Sequence, residues 1–270
     1  MYDRPETRGA HDRLWALIRA ALGYGPERLT RAYDDDLWGL WEHPGLLLGV
    51  SCGLPLRTRL RGKVALVGSL VNDLPGCPRG HYFSRIVICA DAEPRPFAAY
   101  AGARLAYNQA HSQSGWAAAQ NHAALHGFRF TDVVETGAHR ESVRAVAEGR
   151  ADIACIDAVS WALIAEHDGF ARGVQVIGAT EPTPGEPALT AAGGDVAALA
   201  RAFAAGIDAL SPEDRAALHL AGFADTAELP PAAYEAVPTP PAPPSLPGAP
   251  RAFGVASRPE MRPNFPEPRG

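Results

Sequence analysis

Apolar and polar positions in the first 96 residues follow helical spacing and strand spacing in turn. Apolar residues three to four positions apart over residues 14–22 predict an amphipathic helix. Short apolar runs at 46–50, 64–68 and 86–89 predict buried strands. Strands that are apolar on both faces and separated by helices favour a mostly parallel sheet.

A second alternating unit begins near residue 97. Its pattern predicts, in chain order, a strand at 104–108, a helix at 115–126, a strand at 131–135, a helix through Val143 and Val146, a strand at 152–156, a helix at 159–164 and a strand at 174–177. This repeated alternation is typical of a doubly wound lobe with helices on both faces of its sheet.

We therefore predict the α/β fold class, with two doubly wound lobes, a central ligand cleft and a proline-rich C-terminal tail. Residues 1–96 form the first part of lobe 1, residues 97–178 form lobe 2, and residues 179–228, with two helices, return to lobe 1. Residues 229–270 are rich in proline, so we expect them to be extended or disordered and to add nothing to a core.

The composition of the chain argues against some classes of function. The 270 residues are 47% hydrophobic, which is enough for a large core, and the net charge of −5 gives no reason to expect nucleic acid as a partner. No apolar run is long enough to predict a transmembrane helix. The first residues lack the basic and apolar regions of a secretory signal, so either the protein stays inside the cell or its natural start lies upstream.

Four cysteines raise the question of metals and disulfides. They form no CxxC pair, so we expect neither a metal site nor a cofactor. Cys89 and Cys155 lie in apolar runs and are expected to be buried thiols. Cys52 and Cys77 lie in turns, and a disulfide between them stays open as an alternative that needs an oxidising compartment.

The segment 107–116 is the most informative for function. It is a strand end, a hydroxyl-rich turn and a helix start, and it carries Ser112 and Ser114 on either side of Gln113. Backbone N–H groups are free at the start of a helix, where the helix dipole favours negative charge. The turn therefore predicts an anion site, although a serine there could instead only cap the helix.

Two further turns have the same layout. His139 begins the helix that follows the strand at 131–135, and Asp157 follows the strand at 152–156. Ligands in open α/β sheets bind at this edge of the strands, so we expect these residues near the serine turn. Asp157 could instead act only as a helix N-cap. In lobe 1, Tyr2 is a candidate aromatic or hydroxyl contact.

At these residues the chain resembles the phosphate and phosphonate substrate-binding proteins of bacterial ABC transporters, and more narrowly the phosphonate-binding family. The resemblance covers about residues 1–228 and excludes the proline-rich tail. It rests on residues 107–116, residues 137–152 and residues 156–161, and more weakly on Cys52-Gly53-Leu54-Pro55 and Met1-Tyr2-Asp3.

The resemblance implies a type-II periplasmic-binding-protein fold that closes on its ligand. It implies that Ser112, Ser114 and His139 hold the phosphonate oxygens, with Gln113 between the two hydroxyls. It also implies that Asp157 contacts a ligand amine and that Tyr2 contributes from lobe 1. Such a protein is a periplasmic monomer without a cofactor that delivers a small anion to an ABC transporter permease.

The chain departs from the family pattern in three respects. Most of the strand that usually precedes the first-lobe tyrosine is missing, no signal peptide is visible, and the second acid that pairs with an aminophosphonate is not identifiable. We predict that the chain is not an enzyme. The alternatives are an enzyme on the same fold, such as a thiamine-pyrimidine synthase or a hydrolase using Ser114, His139 and Asp157, and an intracellular ligand sensor.

Overall fold

The computed structural model describes residues 2–31 and 36–244. In this part of the chain the helices are α1 Arg8–Leu22, α2 Leu37–Trp41, α3 Gly53–Arg57, α4 Ala118–Leu125, α5 His139–Ala147, α6 Ala158–His167, α7 Val196–Ala209, α8 Pro212–Ala217 and α9 Pro231–Glu235. Single turns of tighter or wider helix occur at Phe97–Tyr100, Gln113–Ala117 and Gly169–Gly173.

The strands of the described residues form two sheets and one short ladder. They are β1 Gly49–Val50, β2 Val64–Asn72, β3 His81–Tyr82, β4 Ser84–Cys89, β5 Leu105–Tyr107, β6 Val133–Glu135, β7 Ile153–Asp157, β8 Val174–Ala179, β9 Thr183–Pro184, β10 Pro187–Ala191 and β11 Leu220–Asp225. The first sheet has the order β1-β10-β2-β11, the second has the order β6-β5-β7-β4-β8, and β3 pairs with β9.

The first sheet is covered by α1 and α7. Leu14 and Ile18 of α1 pack with Phe203 and Ile207 of α7 against Val67 of β2. The apolar spacing predicted for residues 14–22 is therefore the buried face of α1, which extends over Arg8–Leu22.

The second sheet is covered on both faces, as predicted for a doubly wound lobe. Ile86 and Ile88 of β4 contact one apolar cluster, and Val87 contacts the other. Likewise, Ile153 of β7 faces the first cluster and Ala154 the second. Alternate residues of a strand point to opposite faces, so a strand between two helical layers must be apolar at every position.

Strand pairing places the first crossing between the sheets earlier than predicted. Ser84–Cys89 pairs with β7 and β8 of the second sheet, whereas the sequence pattern assigned this strand to lobe 1. By this criterion the chain leaves the first sheet after Asn72 and not near residue 96. The apolar pattern marked the strand correctly, but burial on both faces does not say to which sheet a strand belongs.

The first sheet also differs from the expected parallel arrangement. β10 lies between β1 and β2 and pairs antiparallel with both. β11 pairs antiparallel with the other edge of β2. β1 and β2 do run in the same direction, as expected, but β10 lies between them. The insertion of a strand from a distant part of the chain could not be predicted from local sequence patterns.

Part of the predicted tail belongs to the core. Leu229 and Tyr234 are buried in a cluster with Trp41 and Leu60, and Pro231–Glu235 is helical. Proline fits the first turn of a helix, so the proline content there does not exclude structure. Residues 236–244 contain no helix or strand, and residues 245–270 of the predicted tail lie outside the described residues.

All four cysteines are free in the structure. Cys52 directly precedes α3, and Cys77 lies in a turn that its own N–H closes on the carbonyl of Leu74. The alternative of a disulfide between Cys52 and Cys77 is therefore not realised. No helix in the described part of the chain is long and apolar enough to span a membrane.

The close packing of α1 on α7 depends on Gly206. A Cβ atom at this position would lie 2.6 Å from Cγ1 of Ile18 and 3.2 Å from its backbone nitrogen. Alanine has a helix propensity about 1 kcal/mol better than glycine, but overpacking a core costs about 1–3 kcal/mol. We expect Gly206→Ala to lower the free energy of unfolding in urea by about 1 kcal/mol.

Gly102→Ala is the matched control, since no atom lies within 4 Å of a Cβ built at Gly102. We expect the control to change the free energy of unfolding by no more than about 0.5 kcal/mol. A Gly206→Ala variant more stable than the parent would contradict this account of the packing.

Candidate functional site

A cavity of about 1510 Å³ opens between the two sheets. Apolar side chains of α1 and α2 line one part of it. The other part is polar, with contributions from both lobes and from the N-terminal segment: Tyr2, Asn72, Ser112, His139, Ser160 and Glu186. A concave, mostly apolar site with a few convergent polar groups is typical of a small-molecule site.

The serine turn, residues 112–114, lies at the start of a single wide helical turn, Gln113–Ala117. The Ser112 Oγ accepts a hydrogen bond from the Gly115 N–H at 3.0 Å, and it lies 3.4 Å from the Ser114 Oγ. A Cβ at Gly115 would lie 2.0 Å from the Asn108 Oδ1, so only glycine fits there. Wide helical turns of this type are frequent at functional sites.

His139 is the first residue of α5, and its Nε2 lies 2.8 Å from the Ser114 Oγ. The ring is 3% exposed, and burial lowers the pKa of His139 to about 3. The imidazole is therefore neutral at physiological pH and offers one N–H group and one lone pair. Its Nδ1 has no hydrogen-bond partner within the described residues.

Asp157 ends β7 and begins α6. Its Oδ1 accepts a hydrogen bond from the Ser160 N–H at 2.6 Å, so Asp157 does cap the helix, as the alternative interpretation proposed. Capping uses only one oxygen. The Oδ2 is buried without a partner among the described residues, and so is the Ser160 Oγ. A buried acceptor without a partner costs about 1–3 kcal/mol, so a water molecule or a ligand that donates to this oxygen would be stabilising.

Glu186 is the acid that sequence reasoning did not find. It lies between β9 and β10, where the chain returns to the first sheet, and it is 1% exposed. The Tyr2 hydroxyl donates a hydrogen bond to its Oε1, and the Asn72 Nδ2 donates to its Oε2 at 3.2 Å. The only sequence signal is a lone acid between Gly185 and the apolar run 187–189.

Glu186 and Asp157 form a buried acid pair. Burial, followed by the negative charge of Asp157, raises the pKa of Glu186, and burial raises the pKa of Asp157. Two neighbouring carboxyl groups cannot easily ionise together at low dielectric, so the pair retains a proton more strongly than free carboxyl groups do. Within the described chain neither carboxyl group has a lysine, arginine or histidine at ion-pair distance.

Tyr2 and Gln113, like Ser114 and His139, have side-chain partners in the structure. Tyr2 is part of the site, because its hydroxyl bonds to Glu186. The carboxamide oxygen of Gln113 accepts a hydrogen bond from Arg57 at 2.6 Å, and its Nε2 is buried without a partner in the described residues. Tyr82, which sequence reasoning also missed, has a buried hydroxyl without a described partner.

The described geometry does not form a hydrolase triad. Ser114 and His139 are hydrogen-bonded, as a nucleophile and a base would be. However, Asp157 bonds to the Ser160 amide, and the Nδ1 of His139 has no described partner. A triad needs the acid on that second ring nitrogen. The described residues also contain no group of three or more potential metal ligands.

Two sheets joined by crossing segments, with a buried polar site between them, define a two-lobed binding protein. The chain matches the family model described as "ABC transporter, phosphonate, periplasmic substrate-binding protein" over residues 70–234. This match covers more than half of the chain, so the chain belongs to the phosphonate-binding periplasmic protein family. Members of this family are components of transport systems and not enzymes, in agreement with the prediction that the chain is not an enzyme.

Solved structures show the same fold. The chain is 16% identical to a binding component of a phosphonate ABC transporter from Pseudomonas aeruginosa, with a TM-score of 0.63 and coverage of 81% of this chain and 76% of that one. A Prochlorococcus marinus protein in complex with methylphosphonate is 12% identical, with a TM-score of 0.62 and coverage of 82% and 88%.

A Xanthomonas citri protein bound to chloride is 14% identical, with a TM-score of 0.60 and coverage of 87% and 95%. Identities this low establish only the fold, which is the predicted α/β periplasmic-binding-protein fold. A comparison with curated proteins gives no significant match.

The buried acid pair makes the stability of the ligand-free protein depend on pH. A carboxyl group whose pKa is raised on folding contributes stability that is present below its unfolded pKa of about 4.3 and is lost as pH rises through the folded pKa. We expect Glu186→Gln to remove part of this loss of stability at high pH. The variant should be more stable than the parent at pH 8, by about 1 kcal/mol or more, with a smaller difference at pH 4.

The measurement is urea unfolding of both proteins across this pH range. His139, whose pKa is lowered, destabilises both proteins equally as pH falls below about 6.5, so its effect cancels in the comparison. Glu228→Gln is the control, because Glu228 forms an exposed ion pair with Arg79. If the free energies of unfolding of the parent and of Glu186→Gln changed with pH in parallel, this account of the acid pair would be wrong.

Proposed function

We propose that the protein binds a small phosphonate that carries an amine and delivers it, as a periplasmic monomer, to the permease of an ABC transporter. The observation that carries this proposal is a buried cluster of hydrogen-bonding groups around the serine turn together with a buried acid pair, in which the Asp157 Oδ2 has no partner among the described residues. We refer to these two groups as the donor end and the acid end of the site. Family membership supports the phosphonate, and the chemistry of the two ends supports the amine.

The donor end suits a phosphonate group. The Ser112 hydroxyl, the Tyr82 hydroxyl and the hydrogen-bonded Ser114–His139 pair supply neutral donors for the phosphonate oxygens. The Ser114–His139 pair has one hydrogen left to donate, because the other forms the bond between them. A hydrogen bond to an ionised oxygen contributes about 1.5–3 kcal/mol. Such a site holds the anion in a fixed orientation through hydrogen bonds, without a direct ion pair.

The acid end suits an ammonium group. Asp157 offers an unpartnered carboxylate oxygen, and Glu186 stands beside it with its charge uncompensated. A ligand cation would compensate both carboxylates and lower their pKa values again. An alkyl phosphonate without an amine would leave the acid pair as it is in the free protein.

The donor end is tested with methylphosphonate, which has no amine. We expect Ser114→Ala and His139→Ala each to weaken its binding at least tenfold in calorimetric titrations, because each removes a hydrogen bond to an ionised oxygen. His167→Ala, on the far end of α6, is the control and should bind like the parent. Unchanged affinity in both site variants would remove the serine turn from the proposal.

The acid end is tested by comparing 2-aminoethylphosphonate with ethylphosphonate at pH 7.5. We expect the parent to bind the amine at least tenfold more tightly, a difference of about 1.4 kcal/mol. Asp157→Asn and Glu186→Gln should each reduce this preference while binding of ethylphosphonate stays within a few fold. If the parent binds both ligands equally, the amine part of the proposal is wrong and the phosphonate part stands.

A further inference from the structure

Arg57 is a buried cation that the proposed ligand contacts do not include. It is the last residue of α3 and is 8% exposed. Its guanidinium donates to the Gln113 Oε1 at 2.6 Å, to the Pro238 carbonyl at 3.0 Å and to the Thr239 Oγ1 at 3.0 Å. Burial lowers the pKa of Arg57 to about 10, so the group remains charged at neutral pH.

All three acceptors are neutral. In the part of the chain that the structure describes, no aspartate or glutamate pairs with Arg57. A buried charge without a counter-ion is costly, and natural proteins keep such a charge where a partner or ligand compensates it. The described residues therefore supply no negative charge to compensate Arg57.

The position of Gln113 indicates where that negative charge binds. Gln113 is the middle residue of the serine turn and its side chain binds the guanidinium, so the cation is linked to the turn through the residue between the two hydroxyls proposed to hold the anion. The remaining amide donor of Gln113, Nε2, is buried without a described partner. Opposite charges attract each other more strongly in a protein interior than in water, because the effective dielectric constant there is lower.

The guanidinium is held in a fixed orientation. Its other two acceptors belong to the segment 238–241, which is anchored to the second lobe by the Asn121 side chain on the Pro238 carbonyl at 2.9 Å and by the Trp116 indole on the Pro241 carbonyl at 3.1 Å. α3 lies in the chain between β1 and β2 of the first sheet, whereas the serine turn follows β5 of the second sheet, so the bond from Arg57 to Gln113 joins segments attached to different sheets.

We propose that Arg57 is a positioning residue that acts through Gln113 and gives the site its preference for doubly charged over singly charged anions. This inference rests on the proposed binding of a phosphonate at the serine turn. The hydroxyl and imidazole donors bind an oxyanion of either charge, whereas a cation linked to the turn attracts a dianion more strongly than a monoanion.

The experiment compares methylphosphonate with its monomethyl ester at pH 8.5, where the first is largely a dianion and the second is a monoanion. Dissociation constants are measured by calorimetry for the parent and for Arg57→Gln, Arg57→Lys and Arg61→Gln. Arg61 is an exposed neighbour that pairs with Glu235, so its variant has the same change in net charge. Comparing the ratio of the two constants between the parent and each variant cancels the steric effect of the ester methyl group.

We expect Arg57→Gln to reduce the dianion preference about tenfold, Arg57→Lys to retain most of it, and Arg61→Gln to retain all of it. Equal weakening of both ligands in Arg57→Gln would overturn the inference, because a merely structural role would affect both alike. If Arg57→Gln does not fold, Gln113→Met tests the same coupling and should reduce the preference as well. A parent that binds neither anion contradicts the proposed function itself, whereas a parent that binds both with no loss of preference in the variants contradicts only the role of Arg57.

Discussion

Asp157 and Glu186 are buried side by side without a cation from the described protein, and the arrangement of the cleft depends on this uncompensated pair. Asp157 comes from the second sheet, and Glu186 comes from the segment that returns to the first. Bringing two carboxyl groups together at low dielectric lowers the stability of the free protein. Such a cost is typical of a functional site, where the ligand supplies the missing charge.

The fold explains how distant residues meet. The chain crosses between the sheets twice, and β3 and β9 pair with each other beside these crossings. Glu186 lies at the second crossing, next to the end of β7, while the serine turn and His139 begin helices on the second sheet. Ser112, His139 and Glu186 therefore line one cavity from different elements. A ligand that contacts all three would hold the two lobes together.

The sequence predicted the parts of this fold that depend on local order. Strand–turn–helix units repeat in the second lobe, so the order of residues along the chain was enough to place Ser114, His139 and Asp157 at one sheet edge. Tertiary features could not be predicted from local patterns. The insertion of β10 between β1 and β2, the sheet to which Ser84–Cys89 belongs, and the burial of Glu186 and Arg57 depend on contacts between residues far apart in the chain. The proline content of residues 229–270 predicted no core there, although Tyr234 is buried in a core cluster.

The most direct measurement is a crystal structure of the protein with 2-aminoethylphosphonate. The account predicts the phosphonate oxygens within hydrogen-bond distance of Ser112, Ser114 and His139, and the amine between Asp157 and Glu186. It also predicts that Arg57 keeps its bond to Gln113 in the complex. A ligand bound in the reverse orientation, with its phosphonate beside the acid pair, or bound outside this polar region, would contradict the account.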